Sequence, residues 1–103
     1  MRHVTMAGRP LLVGNEVAEA LVRYAVLLAK VHSADHVVVR AVGRDGDEVE
    51  ANFLLNPGIM LVADSTTSKL PEPDNADALQ YLHARMQHYA DYSMPDLETY
   101  HLA

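Results

Sequence analysis

Cysteine is absent from this 103-residue chain. Its absence removes disulfides, thiol nucleophiles and cysteine-ligated metals, and fits a cytoplasmic protein. Basic residues are also few: 8 Lys and Arg stand against 14 Asp and Glu, a formal net charge of -6. No basic stripe exists to neutralise phosphates, so nucleic acid is not an expected partner. Long apolar runs are missing too. None approaches the roughly 18–20 residues needed to span a bilayer, and Met1–Pro10 lacks the apolar segment of a signal peptide. A membrane partner is therefore not expected. The chain contains no H-E-x-x-H zinc spacing, no Gly-x-x-x-x-Gly-Lys-[Ser/Thr] phosphate loop and no internal repeat.

What is present points to a globular α+β domain. Half of the residues are hydrophobic, ordinary for a folded protein and too many for a disordered one. The length suits one domain over residues 1–92, with residues 93–103 as a tail or short helical arm. The stretch 36–64 reads as three consecutive antiparallel strands. His36–Val42 is rich in β-branched residues, and Glu48–Leu55 alternates polar with apolar at period two. Asp45-Gly46 between them suits the two central positions of a type I′ turn. That placement sets Val42 opposite Val49, Arg40 opposite Ala51 and Val38 opposite Phe53, with this face turned to the core. Asn56-Pro57-Gly58-Ile59 matches a type II turn, from which Ile59–Ala63 returns as the third strand of a meander. Leu11–Val13 forms a possible fourth short strand, and residues 1–10 read as loose because of Gly8 and Pro10.

A helix is expected on either side of these strands. The first, capped by Asn15, runs from Glu16 to His32 with Val17, Leu21, Tyr24, Leu28 and Val31 as its inner stripe. Its other surfaces are also apolar, including Val22, Val26 and Leu27. A helix apolar on several sides requires burial on more than one. That favours a homodimer with Val22, Val26 and Leu27 at its interface; the alternative is that the second helix covers them. The second helix, capped by Asp74 or Asn75, carries Leu79, Leu82, Met86 and Tyr89 on one face and ends near Tyr92, before Pro95.

Candidate chemistry is sparse. Of the six histidines, His32 and His36 are separated by a helix end. His83 and His88 point in different directions on their helix, and His3 and His101 lie near the termini. No metal site and no cofactor is expected. The Asp64–Lys69 stretch is the most suggestive loop, since Ser65, Thr66 and Lys69 offer hydroxyls and an ammonium to a phosphate or carboxylate. The alternative is a solvated connector. Nothing places a base beside Ser65, so no catalytic residue is assigned. Tyr81, Tyr89, Tyr92 and Tyr100 gather late in the chain, a residue type common at interfaces.

The order of helix, hairpin, Leu55-Asn-Pro57 turn, strand and closing helix resembles a group of short actinobacterial proteins of unknown function. The resemblance spans about residues 11–90 and implies an α+β fold and no particular activity. Helix followed by strands also looks like secretion chaperones that dimerise and bind extended partners. Two functions are therefore expected to compete. One is a non-enzymatic protein-binding or regulatory domain acting as a homodimer. The other is a small-molecule-binding or hydrolytic domain, with a pocket between sheet and helices near residues 64–69.

Overall fold

The computed structural model describes residues 1–102, and side chains over residues 1–90. Seven elements follow in order: β1 (Arg2–Met6), β2 (Arg9–Val13), α1 (Asn15–Lys30), β3 (Asp35–Val42), β4 (Glu48–Leu55), β5 (Leu61–Ser65) and α2 (Ala76–Leu102). The α+β class holds, but the sheet is larger than expected. Five antiparallel strands lie in the order β4-β3-β2-β1-β5.

The first ten residues are ordered as a hairpin rather than loose. Ala7 and Gly8 sit at φ 54 and 77 between the paired residues Met6 and Arg9, the two positive φ values of a type I′ turn. Pro10 looks like a breaker in sequence but is harmless in place. Met6↔Arg9 is the hydrogen-bonded pair next to the turn, so by antiparallel alternation Pro10 turns its missing donor away from β1 and toward β3. There the ladder between β2 and β3 consists of Leu12↔Val42 alone.

The β3–β4 register differs from the expected one by one residue. Val42 faces Glu48, Val39 faces Ala51 and Val37 faces Phe53. Gly46 has φ 89 while Asp45 is not among the residues with positive φ, so Asp45-Gly46 is not a type I′ pair. Gly46 N–H instead donates to Gly43 O at 3.1 Å and Gly43 N–H to Asp47 O at 2.9 Å. This is a three-residue loop with glycine in the left-handed position, which adds one residue to the turn. The slip exchanges the faces of β3. Val37, Val39 and Ala41 are buried beside Ala51, Phe53 and Leu55, while Val38 is 41% exposed.

The third strand of the expected meander also moves. β5 pairs with β1 at the opposite edge of the sheet, not with β4. Ile59 N–H closes the turn on Asn56 O at 3.2 Å, and Asn56 Oδ1 accepts from Gly58 N–H at 2.8 Å. Gly58 is not among the glycines with positive φ, so the turn is not type II. Residues 56–60 thus link opposite edges of the sheet, and span at most about 20 Å. A flat five-stranded sheet would need roughly 20 Å sideways alone, with β4 ending beside Asp35 and β5 starting beside Met6. The sheet must therefore curl, bringing its two edges toward each other at this corner without closing.

The concave face holds the core. Val4, Val13, Val37, Val39, Phe53 and Leu55 meet Val17, Leu21, Tyr24 and Leu28 of α1 and Leu82 of α2. The inner stripe expected for α1 is buried except Val31, which lies half-buried at the C-cap. Gly14, not Asn15, occupies the N-cap, and Asn15 N–H donates to Glu72 Oε1 at 3.3 Å. A linker carboxylate thus serves the helix start, where the backbone partial charge favours an anion. At the other end His32 takes φ 54, with Ser33 N–H on Leu28 O at 2.9 Å and His32 N–H on Ala29 O at 3.3 Å. These bonds form a Schellman end with histidine in glycine's usual place. α2 continues to Leu102 rather than stopping near Tyr92. The side chains of the arm expected over residues 93–103 lie outside those described. Among the described residues no helix is long and apolar enough to cross a membrane.

Asn75 joins α2 to the sheet. Its carbonyl accepts Leu79 N–H at 2.8 Å as the N-cap of α2. Its side-chain amide bonds both backbone groups of Arg40, with Arg40 N–H to Oδ1 at 2.7 Å and Nδ2 to Arg40 O at 2.8 Å. Asn75→Ala strands these two Arg40 groups where β2 no longer reaches, and is expected to cost about 1–3 kcal/mol. Urea denaturation measures the loss; an unchanged midpoint would mean that water replaces the amide freely.

Candidate interaction site

Three places on the molecule combine concavity, charge or exposed apolar surface. The first is a polar clasp where α1, β3 and α2 meet. Asp35 opens β3 on its concave face, and Tyr24 stands one helical repeat from Leu21 and Leu28 on the stripe that faces it. Tyr24 OH donates to Asp35 Oδ2 at 2.5 Å, Tyr81 OH donates to the same oxygen at 2.7 Å, and His36 N–H donates to Oδ1 at 2.7 Å. Arg85 completes the set, with Nε donating to Tyr24 OH at 3.3 Å and its guanidinium lying 5.3 Å from the Tyr89 ring centroid.

The clasp moves its own titrations. Partial burial pushes the Asp35 carboxyl up, but the Tyr24 and Tyr81 hydroxyls and the His36 amide outweigh it, and the net shift is below the ordinary aspartate value. Tyr24 is raised well above a free phenol, by burial first and then by its bond to Asp35. Tyr81 is raised mainly by the same carboxylate. Both phenols therefore stay protonated donors near neutral pH. Chemically this is a neutral-donor cradle around one carboxylate, suited to fixing helix positions. A general base would need the opposite shift, toward neutrality.

The second place is a groove of about 920 Å³ at the open mouth of the curled sheet. Met6, Leu11, Val49, Ala51 and Phe53 supply apolar surface, and Arg9 and Arg44 stand at its rim with Asp45 and Glu50. Among the described residues neither arginine makes an ion pair. The volume falls within the range of small-molecule pockets, about 300–1,000 Å³, but the groove is open. A smaller cleft of about 320 Å³ lies between Val38, Arg40 and the first turn of α2.

The third place is the outer surface of α1. Val26 is 48% exposed, and Val22 and Leu27 are half-buried. α2 covers another side of this helix, where Tyr24 and Tyr89 rings lie 6.1 Å apart. α2 thus packs against one side of α1, while Val26 stays exposed and Val22 half-buried beside it.

The loop residues singled out from sequence sit elsewhere. Ser65 ends β5 opposite Arg2 and is exposed, as is Lys69. Thr66 Oγ1 accepts Ser68 N–H at 3.2 Å, and Ser68 Oγ accepts Leu70 N–H at 3.3 Å, so these hydroxyls serve the loop's own backbone. None of Ser65, Thr66 and Lys69 lines either groove. Among the described residues the histidines do not gather at a metal site either. His36 Nε2 lies 2.7 Å from Asn52 Oδ1 on the outer sheet face, and His88 meets the Tyr89 ring edge-on at 5.4 Å. Among the described residues no group of three or more His, Cys, Asp or Glu is placed to hold a metal ion. Sequence reasoning missed Asp35 and Arg85, which carry no motif. The only signal for Arg85 was its helical spacing from Tyr81 and Tyr89, and Asp35 at the start of a strand had none.

Comparison of the chain with family models, with curated proteins and with solved structures gives no match.

The clasp predicts an acid-side effect. With its pKa depressed by folding, Asp35 stabilises the native state above the ordinary carboxylate value of about 3.9. That contribution is lost as pH falls through the lowered value. Asp35→Asn is expected to lower stability at neutral pH and to flatten the acid limb. Denaturant titrations of both proteins at a series of pH values test this. Parallel acid limbs would remove Asp35 from the account.

Proposed function

We propose that the chain is a small protein-binding or regulatory domain of the bacterial cytoplasm, acting as a homodimer and not as an enzyme. The observation that carries this reading is the strip at Val22 and Val26, which remains at the surface after the sheet and α2 have taken their shares of α1. With Leu27 it forms a contact surface for a second protein chain. Leu54 at 50% exposure and Val38 at 41% add diagonal neighbours on the uncovered sheet face. Apolar side chains left exposed in this way suit association. The likeness of the Leu55–Pro57 turn to short actinobacterial proteins is in keeping with the reading, since it implies no reaction.

A second reading rests on the groove. Its size, its apolar floor and Arg9 and Arg44, which make no ion pair among the described residues, suit a small amphipathic anion. The pocket is then at the sheet mouth, and not near residues 64–69.

Native mass spectrometry of dialysed and undialysed protein separates the two. A dimer of bare mass supports the first reading; a small mass that survives gentle desolvation and leaves on dialysis supports the second. Val26→Asp places a charge on the strip at no cost to the core, and is expected to abolish capture of a second protein chain while circular dichroism stays unchanged. Capture that persists in this variant would exclude the α1 strip.

A further inference from the structure

We infer that the free edge of β4 is the self-association site of this chain, with β4 pairing antiparallel to β4 of a second copy about a two-fold axis at Ala51. The inference rests on the homodimer reading but places its interface at the sheet edge instead of the α1 strip at Val22, Val26 and Leu27, which is then left for a different protein.

The backbone sets the demand. Gly43 N–H bonds Asp47 O, and alternation along an antiparallel ladder then assigns the bonds of Val49, Ala51, Phe53 and Leu55 to β3. The N–H and C=O of Glu48, Glu50, Asn52 and Leu54 consequently point out of the sheet. Arg40 checks this parity from the other strand, because its backbone groups face away from β4 and are taken by Asn75.

The fold treats its open edges unequally. Where β2 leaves β3, a dedicated side chain closes the gap. β4 has no proline, no bulge and no lysine, the usual devices against pairing. It is eight residues long, whereas the opposite edge strand β5 has five. Of its two acidic residues, Glu48 is already neutralised by Arg40 at 2.7 Å.

Charge then selects the register. An axis at Glu48, Val49 or Glu50 sets glutamates opposite one another, which destabilises a pair. An axis at Ala51 uses the whole strand and sets Glu48 opposite Leu54 of the second copy and Glu50 opposite Asn52. On the concave side it sets Val49 opposite Phe53 and Ala51 opposite Ala51. The groove is lined by the consecutive residues Val49 to Phe53, so it runs along this edge and an added strand would roof it. The occupant is a second copy because the strand is complementary to itself in polarity, face and charge.

Sedimentation velocity on the full chain tests the interface. Asn52→Pro deletes one outward donor and the side-chain bond to His36 while leaving the backbone ladder to β3 in place, a substitution that edge strands tolerate. Leu54→Glu puts a charge opposite Glu48, and Leu54→Lys puts its complement there. The wild type is expected to be a dimer. Asn52→Pro and Leu54→Glu should raise the dissociation constant at least tenfold with unchanged circular dichroism, and Leu54→Lys should not. Because the chain has no cysteine, Ala51→Cys gives a further readout. Two Cα atoms about 4.5 Å apart at a non-hydrogen-bonded pair lie within disulfide reach, so a covalent dimer should form on oxidation. If Asn52→Pro misfolds, Leu54→Glu and the cross-link carry the comparison. A dimer that survives the β4 variants but is broken by Val26→Asp would move the axis to α1, overturning this inference and keeping the homodimer. A monomeric wild type would overturn both.

Discussion

β2 leaves β3 after a single residue pair, and most of this structure is the consequence. The chain must turn at Gly14 to start α1, so the backbone of β3 before Val42 loses its neighbour. Buried peptide groups without partners are costly, and Asn75 answers with an amide that presents one donor and one acceptor, as a strand residue would. The same residue caps α2. One residue therefore joins the start of the second helix, through its carbonyl, to the side of the sheet that β2 leaves, through its amide. Glu72, three residues earlier, ties the linker to the start of α1 and to the N-terminal ammonium at 3.7 Å.

Two further constraints follow from that arrangement. The short link between β4 and β5 forces the sheet to curl, which creates a concave face deep enough for α1 and leaves a mouth at the hairpin tips. At the far end the Asp35 clasp holds the helices to β3 through the Tyr24 and Tyr81 hydroxyls on one carboxylate. Such a cluster is favourable because each member is partnered; no buried side-chain polar atom among the described residues lacks a bond. The clasp and Asn75 thus fix α2 at two points, and Leu82 between them enters the core.

What remains outward has a common character. The β4 edge, the α1 strip and the open sheet face carry apolar or backbone groups whose requirements this chain does not meet internally. They lie on separate surfaces, which suits a domain that pairs with its own kind at one place and with another protein at a second.

Local rules explain much of what was legible in the sequence. The α+β class, the inner stripe of α1, the Leu79–Leu82–Met86–Tyr89 face of α2 and the existence of β3 and β4 all follow from apolar periodicity, which depends on neighbours in sequence. Errors arose where geometry hung on one residue or on distant ones. Gly46 serves equally in a two-residue or a three-residue loop, and that difference moved every β3 side chain to the other face. Pro10 concealed a strand because its missing donor matters only if a neighbour needs it, and β3 does not. β5 passed over β4 for β1, since the partner of an edge strand is set by sheet curvature, which no local pattern encodes. By itself the sequence determined the two helices with their buried stripes and the presence of β3 and β4, because those depend on spacing along the chain. Strand order, the Asn75 bridge, the Asp35 clasp and the free edge of β4 were decided only by the tertiary structure, because each depends on which peptide groups distant strands leave unpaired.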